Sequence, residues 1–156
     1  MDTLIIRKAK KNDCRTILFM LKNLAEYENL SYQFQLSEDI IKQYAFPEQG
    51  APFLYINLAF LQKKPVGIAV YYYTFSTFKA SPILYIEDLF VLPDYRKQRI
   101  GLKLFQQLIK TAKISSCKAM DWSVLEWNTK AQAFYTKQGA FRRKDWILYR
   151  LENFPQ

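Results

Sequence analysis

The chain has 156 residues, 50% of them hydrophobic and 17% aromatic, which is enough to fill one core and too apolar for an unstructured chain. Lysine and arginine outnumber aspartate and glutamate by 23 to 14, a formal charge of +9 that calls for an anionic client on some part of the surface. No run of about 18 uncharged apolar residues offers a membrane span, Met1-Asp2-Thr3 shows no secretory layout, and the only cysteines, Cys14 and Cys117, make neither a disulfide framework nor a zinc spacing; the expectation is a soluble, cytoplasmic single domain over 1–156 with no metal.

Leu4 to Arg7 reads as a first strand. Asn12-Asp13 is placed to cap a helix whose apolar positions Leu18, Leu21 and Leu24 carry it to about Tyr27. Ser37-Glu38-Asp39 opens a second, shorter helix that stops before Pro47. Phe53 to Leu61 and Val66 to Phe75 have the content of strands, joined by a turn over Gln62-Lys63-Lys64-Pro65. Leu84 to Val91 is another such run, broken by Pro93-Asp94, and Ile100 to Ser115 returns to helical spacing. A strand at Ala119 to Val124, a helix from Thr129 to Gln138 and a closing strand at Asp145 to Leu151 complete an alternating order that suits an α/β sandwich without repeats, linkers or low-complexity tracts.

The passage from Leu84 to Gly101 is thus a buried strand running into a basic loop and a helix. A helix start offers free backbone N–H groups and a positive dipole end to an anion, and Arg96, Lys97, Arg99 and Lys103 add formal charge. The other basic residues, Lys8, Lys10 and Lys11 near the start and Lys137, Arg142, Arg143 and Lys144 near the end, are scattered. They neither follow one helix nor interleave with a nucleic-acid motif, which argues against a nucleic-acid partner.

Arg96-Lys97-Gln98-Arg99-Ile100-Gly101 resembles the acyl-CoA signature of the GCN5-related N-acetyltransferases (GNAT): Gln or Arg, two residues, Gly, one residue, Gly or Ala. Arg99 stands where the first glycine belongs. Asn128 through Phe134-Tyr135 to Gly139-Ala140 resembles that family's second signature. Within the superfamily the chain is similar to the spermidine/spermine acetyltransferases and their thialysine-acetylating relatives, through Leu24 to Glu28, Val70 to Phe78, Leu84 to Val91, Glu126 to Asn128 and Asp145-Trp146. Ser76-Thr77-Phe78 leans toward the thialysine branch.

The resemblance implies a GNAT-type fold, a mixed central sheet with helices on both faces and two strands, around Glu87 and Ser123, splayed into a slot for the pantetheine arm. Acetyl-CoA is the implied acyl donor. Leu89, Phe90 and Val91 would contact the arm through their backbones, and Arg96, Lys97, Gln98, Arg99, Ile100, Gly101 and Leu102 would hold the phosphates, with Asn128, Lys130 and Ala131 completing the site. A homodimer is also implied. Two departures stand out: a residue with a Cβ at position 99 loses easy access to positive φ, and the stretch from Gly139 to Trp146 is shorter than usual.

The chain contains no histidine, so the commonest general base is missing and proton handling falls to carboxylates, tyrosines or water. An amine nucleophile, with a pKa of about 10.4, must lose a proton to attack a thioester. Glu87 matches the family's proton acceptor and Tyr135, on the helix after Asn128, its general acid; a phenol stays protonated at neutral pH. Strand alternation places Glu87 and Asp88 on opposite faces, so Asp88 reads as an ion-pair partner of a nearby lysine or arginine. Neither cysteine has a base beside it, which favours direct transfer in a ternary complex over an acetyl-cysteine.

A cationic acceptor needs local acid in a basic protein. Tyr27 and Glu28 match the subgroup's acceptor-binding pair, and Asp121, Trp122, Ser123 and Asp145, with Glu87, match further pocket contacts. Three readings stay open on the residues: transfer to a small primary amine such as a polyamine or lysine-like diamine, transfer to protein or peptide amines, and a non-catalytic CoA-fold module that binds anions.

Overall fold

The computed structural model describes residues 3–152. They form two compact units, the first ending at Ser123 and the second beginning at Val124. In the first, β1 (Leu4–Lys8) leads through a 3-10 turn at Lys11–Asp13 to α1 (Cys14–Tyr27) and then α2 (Glu38–Ala45). There follow β2 (Tyr55–Leu61), β3 (Lys64–Ser76), β4 (Ser81–Val91), α3 (Ile100–Ile114) and β5 (Met120–Trp122). The sheet order is β1-β2-β3-β4-β5, antiparallel except for the parallel β4–β5 pair. The second unit contains α4 (Thr129–Lys137).

Local chemistry sets these boundaries. Ser37 caps α2 as its position suggests, its Oγ accepting from the Ile40 N–H at 3.3 Å. Asp13 stands at the cap position of α1 but makes no capping bond. Its carboxylate is drawn backwards, gripped by Arg7 through Nη1 at 2.7 Å and Nη2 at 2.9 Å and accepting from the Lys10 N–H at 2.7 Å. The hydrogen bond from Arg7 holds the Asp13 carboxyl below its ordinary pKa. Gln62 and Lys63, both at positive φ, make the tight turn between β2 and β3.

The two sheet faces are filled differently. On one, Ile17, Met20, Leu21 and Leu24 of α1 and Ile41 of α2 pack with Ile56, Leu58, Ile68, Val70 and Phe90. A fully buried leucine or isoleucine here contributes about 1.5–3 kcal/mol, which is why the helical stripe of α1 is legible from the sequence. On the other face lies α3, at close range. A Cβ on Gly67 of β3 would meet Leu104 Cδ1 at 2.9 Å and Ile100 Cγ2 at 3.3 Å, so glycine lets the start of α3 approach the strand.

Two expected strands differ. β5 is confined to Met120–Trp122, because it pairs with β4 only from Leu84 to Ile86 and then departs from it. Asp145 to Leu151 forms no strand. Trp146, Ile147, Leu148 and Tyr149 have strand propensity, but all are exposed, and extended residues without a ladder partner or a covered face do not make a sheet.

Candidate functional site

The start of α3 has the chemistry of an anion site. Arg99, its N-cap residue, supplies no side-chain bond, and the first turn holds no acid. The N–H groups of Ile100, Gly101 and Leu102 precede the first helical bond, from the Lys103 N–H to the Arg99 carbonyl at 3.0 Å, and so have no helical acceptor. Lys97, Arg99 and Lys103 are exposed around them. The expectation that a side chain at position 99 loses positive φ is overturned: Arg99 sits at φ 62° and ψ 11°, and Lys97 also at φ 62°. The left-handed conformation costs each roughly 1–2 kcal/mol, held by the structure on either side. Gly101 is not crowded, since a Cβ there would meet only Val91 Cγ2 at 3.6 Å.

The preceding strand has an open edge. Beyond Ile86, β4 has no partner on its β5 side among the described residues, so Glu87 to Val91 flank a gap left by the departing β5. The splay implied by resemblance is therefore present in the strand pairing. One carbonyl along it, that of Val91, accepts from Arg96 Nε at 3.0 Å.

A bulge changes the assignment of the two carboxylates. Tyr71 pairs with Ile86 and Val70 with Asp88, leaving Glu87 without a counterpart on β3. Tyr71 lies on the α3 face, two steps of alternation after Ala69 and four after Gly67, so Ile86 does too, and Glu87 turns to the α1 face. Asp88 shares that face through its partner Val70, a member of the α1–α2 core. The opposite-face expectation for Glu87 and Asp88 is thus wrong, because one extra residue cancels the alternation.

Nor does Asp88 form an ion pair among the described residues. Its neighbours are acidic: burial first, then the charges of Glu87 and Glu28, push its carboxyl up to about 7. Glu87 is exposed and Asp88 half-buried. Glu28, the C-cap residue of α1, is itself raised by burial. Tyr72, whose ring lies 5.1 Å from that of Tyr85, is pushed up to about 12 by burial and by the charge of Glu87, with Tyr85 and Asp88 contributing. It stays a proton donor at neutral pH. The Tyr85 hydroxyl in turn bonds Ser123 Oγ at 3.0 Å.

Of the expected acceptor residues, Glu28, Glu87 and Ser123 therefore gather on this face, with Asp121 beside Tyr85 in the strand register. Tyr27 closes α1 with its ring centroid 6.1 Å from that of Phe90. Trp122 stands apart, edge-on to Phe105 of α3 at 5.6 Å. Spacing alone does not single out Asp88, Tyr72 and Tyr85 as site residues, because the pattern of β3 and β4 carries no sign of the bulge that turns Glu87 to the face of Asp88. Both cysteines are free and raised by burial, which suits packing.

In the second unit, Asn128 Oδ1 caps α4 by accepting from the Ala131 N–H at 3.2 Å, so two expected cofactor residues are joined in a cap. Lys130 is exposed in the first turn and Tyr135 half-buried one turn on, its ring 5.1 Å from that of Phe134. Gly139, at φ 86°, ends the helix as a glycine can. Asp145 is exposed in the irregular stretch beyond, where the Arg143 guanidinium lies 4.6 Å from the Trp146 ring.

Residues 17–140 match the Acetyltransferase (GNAT) family. The chain is 35% identical to a thialysine N-epsilon-acetyltransferase of Bos taurus, over 97% of this chain and 94% of that protein. It is 36% identical to the Sus scrofa protein of that name, over the same shares. Among solved structures, an integron cassette protein from the mobile metagenome of V. cholerae has a TM-score of 0.78 at 27% identity, covering 96% of this chain and 93% of its own. An aminoglycoside N-acetyltransferase in complex with CoA has a TM-score of 0.77 at 18% identity, covering 98% and 97%, a likeness of fold.

Proposed function

The chain belongs to the acetyltransferase (GNAT) family and is an N-acetyltransferase that takes its acetyl group from acetyl-CoA; from that premise we propose that its acceptor is a primary amine of a small thialysine- or lysine-like diamine or polyamine. The observation that carries the reading is the acidic and aromatic wall of Glu28, Glu87, Asp88, Tyr72 and Tyr85 beside the open edge of β4, in a chain of net charge +9. Such a wall offsets the repulsion of the whole protein for a cation and holds a second positive charge away from the reacting amine. The names of the relatives support thialysine first; the one named spermidine/spermine N(1)-acetyltransferase-like protein 1, from Homo sapiens, is 31% identical over 23% of its own length.

In this reading acetyl-CoA is held by the free N–H groups of α3 and the cations around them, and its arm lies along Leu89 to Val91. The amine nitrogen forms the amide bond to the acetyl carbon as the carbon–sulfur bond breaks. Glu87 takes the ammonium proton through water, with Asp88 as its neighbour on the same face, and Tyr135 gives its proton to the leaving thiolate. Backbone N–H groups near Phe90 polarise the carbonyl. Transfer is direct, in a ternary complex. We take the chain to work as one catalytic domain and as a homodimer; the exposed apolar residues Trp146, Ile147, Leu148, Tyr149 and Leu151 support a partner surface.

The test is release of CoA thiol from acetyl-CoA with thialysine, lysine, spermidine, spermine, putrescine and a lysine peptide in parallel. Turnover with the free diamines and not the peptide is expected. Preference for the peptide would replace this reading, and no turnover with any amine by a folded protein would end it.

A further inference from the structure

We propose that Arg96 is a positioning residue that couples the donor loop to the acceptor wall, and not a cation kept for phosphate. This rests on the reading of the α3 loop as the donor site. Arg96 follows the 3-10 turn Pro93–Tyr95 and has extended backbone, φ −70° and ψ 167°; the residues at positive φ begin immediately after it.

Arg96 is half-buried, and its guanidinium lies against two rings. The central carbon lies 4.2 Å from the Tyr27 ring centroid and 5.5 Å from that of Phe90, while Nε donates to the Val91 carbonyl at 3.0 Å. A planar guanidinium donates from its edge while its face rests on a ring, a combination a lysine ammonium cannot make. By contrast Lys97, Arg99 and Lys103 are exposed. The loop therefore has three cations free for phosphate and one already committed to its own protein.

Each partner of Arg96 has a place in the site. Tyr27 is the last residue of α1 and the next residue is Glu28, whose charge bears on Asp88. Phe90 and Val91 end the open edge of β4. An anion that fixes residues 97–99 fixes Arg96, and through the Tyr27 ring it fixes the last turn of α1 that carries Glu28. Donor binding then orders the acceptor wall, and by reciprocity the amine tightens the donor.

The experiment is hydrogen exchange of the segment 24–30 with and without saturating CoA, beside calorimetric CoA affinity, in the wild type, Arg96→Met, Arg96→Lys and Tyr27→Leu. Protection of 24–30 by CoA is expected in the wild type. It should be lost in all three variants, with CoA affinity reduced by no more than the coupling, about tenfold. Where the amine is known, Arg96→Lys should raise its KM about tenfold and leave kcat within about threefold. If Arg96→Lys restores CoA affinity lost in Arg96→Met while 24–30 responds unchanged, Arg96 is a phosphate cation and the proposal falls. A wild type that binds CoA with no change at 24–30 overturns it alone; a wild type that does not bind CoA overturns the proposed function with it.

Discussion

Glu87 and Asp88, consecutive in β4, present their carboxylates on one face of the sheet, because Glu87 has no counterpart between Tyr71 and Val70 on β3. Two acids that alternation would have separated are made neighbours, and a third, Glu28, is brought to them by the end of α1. Burial and the charges of these two neighbours together raise the Asp88 carboxyl.

Activity should follow the ionisation of Asp88. With its carboxyl raised to about 7, kcat/KM should climb as pH rises through that value, since the anionic form holds a cation or receives a proton. Asp88→Asn should lower kcat/KM by tenfold or more and remove the step. A wild-type profile flat between pH 6 and 8 would exclude the role.

The same shift has a stability consequence of opposite sign. Between the ordinary aspartate pKa and about 7 the folded protein holds a proton that the unfolded chain has lost, so stability falls as pH rises across that window. Asp88→Asn should raise the melting temperature at pH 8 and change it little at pH 4, by thermal melts in matched buffers.

Arg7 and Asp13 act in the other direction. The grip of Arg7 lowers the Asp13 pKa, so its contribution is present above the unfolded value near 4 and is lost as pH falls through the folded one. Arg7→Met should cost roughly 1–2 kcal/mol at pH 7, and urea titrations should show a much smaller difference at pH 2.5.

The strained loop and the close helix are separable. Arg99→Gly should relieve a left-handed residue and stabilise the fold by up to about 1 kcal/mol, a rise of about 2–4 °C. Gly67→Ala should do the reverse, since its methyl falls 2.9 Å from Leu104 Cδ1, costing about 1–3 kcal/mol and weakening CoA as the start of α3 is pushed from β3. Equal CoA affinity in Gly67→Ala and wild type would show that the helix start does not matter to the donor.

Removing Glu87 or Tyr135 should slow chemistry more than binding. Glu87→Gln and Tyr135→Phe should each lower kcat by roughly 100-fold or more, with CoA affinity by calorimetry within about threefold of wild type. A loss confined to KM would assign both to binding.

Much of this was legible beforehand because it depends on short-range pattern. The stripe of α1, the Ser37 cap and the strand–loop–helix of Leu84 to Gly101 each follow from spacing that physics reads locally. What the sequence hid is relational. The bulge exists only in the register of two strands; the diversion of Asp13 from cap to ion pair depends on Arg7 arriving from β1. Strand propensity at Trp146 to Tyr149 was visible, but no partner for it stands among the described residues.

The open edge of β4 also raises a question of solubility. Unpaired strand edges recruit foreign strands and seed aggregation unless they are short, bent or charged. This one is all three: it runs only from Glu87 to Val91, begins at a bulge, carries two adjacent acids, and has its last carbonyl occupied by Arg96. Variants that neutralise both acids should therefore be judged for clumping as well as for rate, since the carboxylates proposed to serve the reaction also guard the sheet against its own kind.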